Sequence, residues 1–223
     1  PLGEQTVCPS VLQTSYSTQL SPPAESYEWE LLPEEAGTVE GSGTTSTILW
    51  NPDFNGVTRL RVRAIRDGVV SGWSLITISR PPDTRITTQP VDVTICQDED
   101  VTLDVSAEGG DLLYTWFRDG APVSTGINSE YFIENAQPDA EGVYSARISG
   151  ACGVAFSNDI DLEIHEITDI LSSSPTTRTY LGGSAIIQVE AVGNDLEYRW
   201  TKDDVPLEGV NTPELFFTDA NAG

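Results

Sequence analysis

A repeated tripeptide constrains the fold of this chain more than any other feature of its sequence. The pattern Tyr-x-Trp occurs three times, at Tyr27–Trp29, Tyr114–Trp116 and Tyr198–Trp200, with spacings of 87 and 84 residues. A shift of 84 aligns Val105–Pro122 with Val189–Pro206 and gives nine identities in eighteen positions. Self-similarity at a fixed period indicates repeated structural units. The sequence therefore predicts three modules, of which the second and third are homologous and the first is a more distant relative.

Each module is predicted to consist of short β-strands. Apolar residues alternate with polar ones in Val101–Val105 and with arginines in Arg59–Ala64, which is typical of a half-buried strand. Asp119–Gly120 predicts a tight hairpin, because both residues accept a positive φ. No helical period is sustained along the chain. We therefore predict an all-β protein built from tandem β-sandwich domains in an elongated array.

Proline-rich and polar segments set the predicted boundaries. Arg80-Pro81-Pro82-Asp83 and His165-Glu166-Ile167-Thr168 divide the chain into module one (1–81), module two (82–166) and module three (167–223). In module two, a turn that ends at Gly142 is followed by further strands, whereas the similar turn of module three reaches Gly223. We therefore expect module three to lack its last two strands, which would expose its core and an open edge. The natural chain is expected to continue, or another segment to complete the sheet.

The composition argues against several classes of function. Thirty-five acidic residues face eleven basic ones, for a net charge of -24, and this opposes binding to nucleic acid or to anionic membranes. Apolar runs are too short for a transmembrane helix. The only histidine, His165, ends an alternating stretch without a nucleophile motif nearby, so we interpret it as a surface residue. We predict a chain that is not an enzyme and has no cofactor.

Module two resembles an immunoglobulin-like domain. The resemblance rests on Val101–Val105, on Tyr114-x-Trp116, and on Asp139-Ala-Glu-Gly-Val-Tyr144, where Tyr144 matches the tyrosine-corner position. It implies that Trp116 and Tyr144 are core residues, as are Trp29 and Trp200 at the equivalent positions of the other modules. The two cysteines of the family pattern are replaced by Val105 and Ala146.

Module one resembles the polycystic-kidney-disease-like (PKD-like) modules. The motifs are Tyr27-Glu-Trp-Glu-Leu-Leu-Pro33, Gly41-Ser-Gly-Thr44 and Trp50-Asn-Pro-Asp-Phe-Asn-Gly56. Together with the displaced cysteines of module two, they resemble repeats of large secreted and cell-surface proteins of Bacteroidota that use a type IX secretion route. The resemblance implies an extracellular location and a spacer, an adhesive arm or an accessory domain as the role.

Three cysteines leave the disulfide pairing open. The family resemblance implies a Cys96–Cys152 bridge. Strand order places Cys96 and Cys152 at opposite ends of a sandwich, however, whereas a bridge requires Cα atoms within about 7 Å. The alternatives are a Cys8–Cys152 bridge between modules one and two, or three free thiols.

Two surface features are candidate ligand sites. Asp161, Glu163 and Glu166 approach the second boundary and could donate oxygens to Ca²⁺, or they could be solvated surface residues. Trp50 and Trp73 could form an exposed glycan-binding patch with nearby arginines. Alternatively, arginine and tryptophan form a ladder that braces the outer sheet face, or one tryptophan is buried.

We therefore expect a non-catalytic structural or adhesive segment of a larger secreted or cell-surface protein. Because the chain contains no Met, we expect it to be a piece of a longer polypeptide. Its expected partners are the remainder of that polypeptide, and a glycan or a cell-surface protein. The alternatives are a glycan-binding accessory region of an extracellular hydrolase and a module whose incomplete sheet accepts a strand from a partner.

Overall fold

The computed structural model describes residues 1–19, 24–175 and 178–218. Nearly all of its regular structure is β-strand, which confirms the all-β prediction. The described residues contain two 3-10 helices, Glu34–Ala36 and Pro138–Ala140, and neither is long and apolar enough to cross a membrane.

The first 81 residues form two antiparallel sheets. One sheet has the order β1-β4-β3, and in the other β5 pairs with β2, β6 and β7. The strands are β1 (Gln13–Ser17), β2 (Ser26–Leu32), β3 (Gly37–Glu40), β4 (Thr45–Trp50), β5 (Gly56–Arg66), β6 (Val69–Val70) and β7 (Ser74–Arg80). The alternation predicted in β5 is present, because Leu60 and Val62 are buried while Arg59 is exposed. Inward-facing residues of both sheets form one core, which includes Trp29, Ile48 and Leu60.

The segment from Arg85 to His165 contains ten strands. They are β8 (Arg85–Thr88), β9 (Val93–Cys96), β10 (Val101–Asp104), β11 (Ser106–Glu108), β12 (Leu113–Arg118), β13 (Ala121–Gly126), β14 (Glu130–Ile133), β15 (Gly142–Gly150), β16 (Gly153–Phe156) and β17 (Ile160–His165). Strand β12 pairs antiparallel with both β13 and β15, and β15 pairs with β16. Strands β8 and β11 pair antiparallel, and β9 pairs with β17 in parallel.

The remaining described residues contain five strands. They are β18 (Asp169–Ser173), β19 (Ala185–Val192), β20 (Thr201–Lys202), β21 (Val205–Pro206) and β22 (Glu214–Phe217). Strand β19 pairs with β18 and β22, and β20 pairs with β21. The predicted final turn of module three lies largely outside the described residues.

The predicted hairpin is confirmed. Asp119 and Gly120 have φ values of 50° and 77°, as the twist of a two-residue turn between antiparallel strands requires. They join β12 to β13. Asp203 and Asp204, at the equivalent position of the repeat, have φ values of 50° and 66° and join β20 to β21. The repeat therefore conserves its turn geometry even where an aspartate stands in place of glycine.

The chain divides into two compact units. The first comprises Pro1–Val91, Leu103–Tyr131 and Tyr144–Ile160; the second comprises Asp92–Thr102, Phe132–Val143 and the residues from Asp161 onward. The division into modules 1–81, 82–166 and 167–223 remains a prediction. Modules one, two and three are names for these sequence ranges.

Candidate functional site

A disulfide within the first compact unit joins Cys8 to Cys152. The two residues are 144 positions apart in sequence and their Cα atoms are 5.4 Å apart, which is within the normal range for a disulfide. The pairing of Cys152 with Cys96 is therefore wrong. Cys152 lies in the turn between β15 and β16, where it meets Cys8. Cys96 is an exposed free cysteine that stands in register with His165.

The chain around this bridge is closely packed. The amide of Thr84 donates a hydrogen bond of 3.1 Å to the carbonyl of Cys152, and the amide of Ala151 donates one of 2.7 Å to the carbonyl of Gly110. A Cβ atom at Gly110 would lie 2.6 Å from the Cβ of Pro81, so only glycine permits this approach. The segments around Pro81, Gly110 and Cys152 are therefore already closely packed, and the disulfide adds a covalent link between them and the Cys8 loop. We call this region, from Arg80 to Thr84 with Cys8, Gly110 and Cys152, the crosslinked joint.

Arg80 anchors the joint from inside the core of module one. It is 0% exposed, and its guanidinium donates hydrogen bonds to the carbonyls of Val11 (3.3 Å) and Phe54 (3.4 Å). A longer bond of 3.5 Å reaches the carbonyl of Cys8. Burial lowers the pKa of Arg80 below its ordinary value, because desolvation disfavours the charged form. Arg80 thus ties the bridged cysteine loop to the last strand of module one.

Trp50 belongs to this core and not to an exposed glycan patch. It is 5% exposed, its indole Nε1 donates a 2.8 Å hydrogen bond to Thr14 Oγ1, and the Arg80 guanidinium lies 4.9 Å from its ring centroid. The physical reason lies in the alternation of β4, where Ser46, Ile48 and Trp50 share the buried face. The expected patch of Trp50 and Trp73 is therefore wrong for Trp50.

Trp73 takes part in an arginine ladder on the outer face of β5. The guanidinium groups of Arg61 and Arg63 lie 4.3 Å and 4.6 Å from its ring centroid. Arg61 and Arg63 also pair with Glu30 and Glu28, their cross-strand neighbours on β2. Trp73 is half-buried, and its ring face is occupied by cations of the same chain. This arrangement matches the bracing ladder, which the sequence left open as an alternative to ligand binding.

The three candidate Ca²⁺ ligands do not converge. Asp161 and Glu163 lie on the exposed face of β17, where Glu163 contacts His165 Nε2 at 3.3 Å. Glu166 is also exposed, and its backbone amide donates to Asn194 Oδ1 at 2.6 Å. Over residues 1–19, 24–175 and 178–218, no three side chains of His, Cys, Asp or Glu are grouped to hold a metal ion.

The four predicted core aromatics differ in their burial. Trp116 and Tyr144 are each 1% exposed, and Trp29 is 9% exposed. Tyr131 lies between the first two, with ring centroids 6.1 Å from Trp116 and 5.9 Å from Tyr144. Trp200 is only half-buried, although its Nε1 donates to the carbonyl of Thr212 at 2.9 Å. The aromatic of module three therefore lacks the enclosure that Trp116 has.

An apolar groove lies beside Trp200. It has a volume of about 370 Å³ and lies between the strands β18 and β19 and the segment 196–200. Its walls include Ile170, Ile187, Val189, Leu196, Tyr198 and Trp200. We call it the module-three groove.

Arg80 and Tyr16 were missed at the level of sequence. The Tyr16 hydroxyl donates to the carbonyl of Glu4 at 2.9 Å, and burial raises the pKa of Tyr16, although a hydrogen bond with Thr14 opposes this shift. A signal for Arg80 was present, because it follows Ile76 and Ile78 at alternate positions of β7 and so shares their inward face.

Comparison with known proteins agrees with the architecture. Residues 2–71 match the family model of the PKD-like domain. No curated protein sequence is detectably similar to this chain. The three-domain I-band fragment I67–I69 of titin superposes with a TM-score of 0.69 at 13% identity, over 98% of this chain and 86% of the titin chain.

Two similar structures are complexes of immunoglobulin domains. The complex of Dpr2 Ig1–Ig2 with DIP-Theta Ig1–Ig3 gives a TM-score of 0.56 at 12% identity, over 98% of this chain and 88% of the other. Dpr11 IG1 bound to DIP-gamma gives 0.51 at 12% identity, over 74% and 96%. At these identities the similarity shows the fold alone, which is that of tandem immunoglobulin-like domains. Domains of this kind are typically non-catalytic, and many act in adhesion or protein interaction.

Proposed function

We propose that this chain is a non-catalytic structural segment of a secreted or cell-surface protein and acts as a spacer or arm that carries tension. The observation that carries the proposal is the Cys8–Cys152 bridge. A pulling force applied between the ends of the chain passes through this covalent link. The 144 residues that follow Cys8, up to Cys152, are then bypassed. Module one and most of module two would therefore keep their fold under load.

The joint supports the same role in a second way. Arg80, Pro81 and Thr84 leave little room for bending, because Gly110 admits no Cβ atom beside Pro81 and the Thr84 amide is bonded to Cys152. Disulfides persist in oxidising compartments and are rare in the cytosol, which supports an extracellular location. The surface proteins of Bacteroidota with type IX secretion remain our proposed source, on the strength of the sequence motifs.

The glycan-binding alternative is not favoured by the structure. It requires a solvent-facing row of aromatics in module one. Trp50 lies in the core, and the Trp73 ring is stacked against Arg61 and Arg63. We therefore do not propose an accessory role in a hydrolase.

Single-molecule stretching tests the proposed role. The oxidised chain, held at its two ends, should extend without release of the bridged segment. The Cys8→Ser variant should release 144 more residues, about 480–520 Å of additional contour length at 3.3–3.6 Å per residue. The Cys96→Ser variant is the matched control and should behave as the oxidised chain does. Equal extension of the oxidised chain and of Cys8→Ser would contradict the proposal.

A further inference from the structure

One sheet face of module two is set apart from the rest of the chain by its charge. Strands β13, β12, β15 and β16 lie side by side in that order. Tyr114 and Trp116 of β12 are buried beneath them, so the residues at alternate positions face outward. We call the outward residues of these strands, within 113–126 and 145–156, the outer face. All of them belong to the first compact unit.

The outer face carries no carboxylate, although the chain has a net charge of -24. Within 113–126 and 145–156, all of which the structure describes, no outward strand residue is Asp or Glu, and the only charged one is Arg147. By contrast, β17 of the same sheet directs Asp161 and Glu163 outward, and β2 of module one directs Glu28 and Glu30 outward. Two copies of so acidic a chain repel each other. At the outer face they can touch without opposing carboxylates.

The outer face also has apolar area that association would bury. Leu113, Val154 and Phe156 are exposed, and Phe156 is 69% exposed. Four strands about 4.8 Å apart and about five residues long cover roughly 19 Å by 17 Å. Two such faces packed together bury on the order of 1,000 Å² in total, which is near the lower limit for a specific interface. The outer face is therefore large enough for a weak dimer.

The shape of the outer face is complementary to itself. Each cross-strand pair at its centre combines one large and one small side chain: Leu113 lies opposite Ser149, Arg147 opposite Thr115, and Phe117 opposite Ser145. The large member alternates between β12 and β15. A two-fold axis parallel to the strands, between β12 and β15, places each β12 residue over the β15 member of the same pair in a second copy. Every large side chain then meets a small residue with a hydroxyl group.

We propose that the outer face binds a second copy of this chain across a two-fold axis between β12 and β15. Geometry and charge select this occupant, because the large and small residues match the face to itself, whereas an acidic partner would find one arginine only. The dimer is weak, with a dissociation constant on the order of 10⁻⁵ M. It becomes tighter as salt screens the repulsion between the two acidic copies. Binding of an acidic partner to Arg147 would instead become weaker with salt.

Sedimentation equilibrium of the complete 223-residue chain measures this association. The chain should form a dimer whose dissociation constant is lower at about 1 M NaCl than at about 0.1 M NaCl. Leu113→Glu places a carboxylate on each outer face and should raise the dissociation constant at least about tenfold. Val91→Glu adds the same charge at an exposed valine outside the outer face and is the matched control, which should dimerise as the unsubstituted chain does. Circular dichroism verifies that both variants are folded.

A mixture of two variants tests the pairing across the interface. In the proposed dimer, Leu113 of one copy lies over Ser149 of the other. Leu113→Arg and Ser149→Asp should each weaken self-association at least about tenfold. An equimolar mixture of the two variants should restore dimers, because an arginine then faces an aspartate at one of the two contacts and the other contact keeps its original residues.

Four results would overturn the proposal. The first is a chain that stays monomeric at about 1 M NaCl and about ten times the expected dissociation constant. The second is unchanged dimerisation of Leu113→Glu, since another surface would then be responsible. The third is a mixture of folded Leu113→Arg and Ser149→Asp that forms no dimer. The fourth is association that weakens with salt, which would indicate contact between opposite charges.

Discussion

Opening the Cys8–Cys152 bridge should destabilise the chain more than any other single change at the joint. In the chain-entropy description, a disulfide removes loop-closure entropy from the unfolded chain, and the effect grows with the logarithm of loop length. For a separation of 144 residues this amounts to about 5 kcal/mol at 25 °C. Because the joint is also packed through Pro81 and Gly110, the folded state keeps these contacts without the bridge. We therefore expect Cys8→Ser to lower the free energy of unfolding by about 4–5 kcal/mol.

Denaturant unfolding of matched variants measures this difference. The oxidised chain is compared with Cys8→Ser and with Cys96→Ser, with unfolding followed by tryptophan fluorescence and far-UV circular dichroism. Cys96 is exposed and unbridged, so its replacement should change the free energy of unfolding by no more than about 0.5 kcal/mol. Each variant replaces one cysteine by serine, and only in Cys8→Ser did that cysteine belong to the bridge.

Two results would refute the reasoning. Equal stability of Cys8→Ser and Cys96→Ser would mean that the Cys8 bridge adds nothing. The second result is a large loss of stability in Cys96→Ser, together with a disulfide-linked Cys96–Cys152 peptide recovered from the unsubstituted chain under non-reducing conditions. It would restore the pairing that the family resemblance implies.

Three further predictions concern aromatic residues. Burial raises the pKa of Tyr16 above its ordinary value of 10.0, so above pH 10 the folded chain retains a proton that the unfolded chain releases. The free energy of unfolding should therefore fall as pH rises above 10. Tyr16→Phe should flatten that fall in denaturation curves measured between pH 8 and 11. Trp116→Ala should lower the free energy of unfolding, measured by denaturant titration, by about 3–5 kcal/mol. Trp200→Ala should lower it by less than half as much, because Trp200 is half-buried. Equal losses of stability in the two variants would contradict the open groove. Trp73→Ala should lower the free energy of unfolding by about 1–2 kcal/mol, because it removes two arginine contacts. An unchanged melting temperature would mean that the arginine ladder does not stabilise the fold.

Local chemistry made much of the fold predictable from sequence. The period-two pattern of Val101–Val105 requires only that one sheet face be apolar, and the structure buries Val101, Leu103 and Val105 while Thr102 and Asp104 stay exposed. Asp119 and Gly120 needed no tertiary information either, since both turn positions require φ values that these residues adopt.

Long-range contacts were less predictable. Strand order already argued against Cys96 as the partner of Cys152, because it placed the two cysteines at opposite ends of a sandwich. The choice of Cys8 depends on where a loop 144 residues away in sequence is placed, and no sequence pattern gives that position. Trp50 is a different case, because the alternation of β4 already placed it with Ile48 on the buried face. The alternation therefore favours the alternative in which one tryptophan is buried over the glycan patch.

Trp116 and Trp200 show why a motif alone does not determine burial. Both stand in the same Tyr-x-Trp context, and both precede a hairpin with positive φ at its two turn residues. Only Trp116 is enclosed, because Ala146 on β15 lies opposite it. The enclosure of Trp116 is therefore supplied by the neighbouring strand β15, and the motif by itself determines only which face of its own strand the indole occupies.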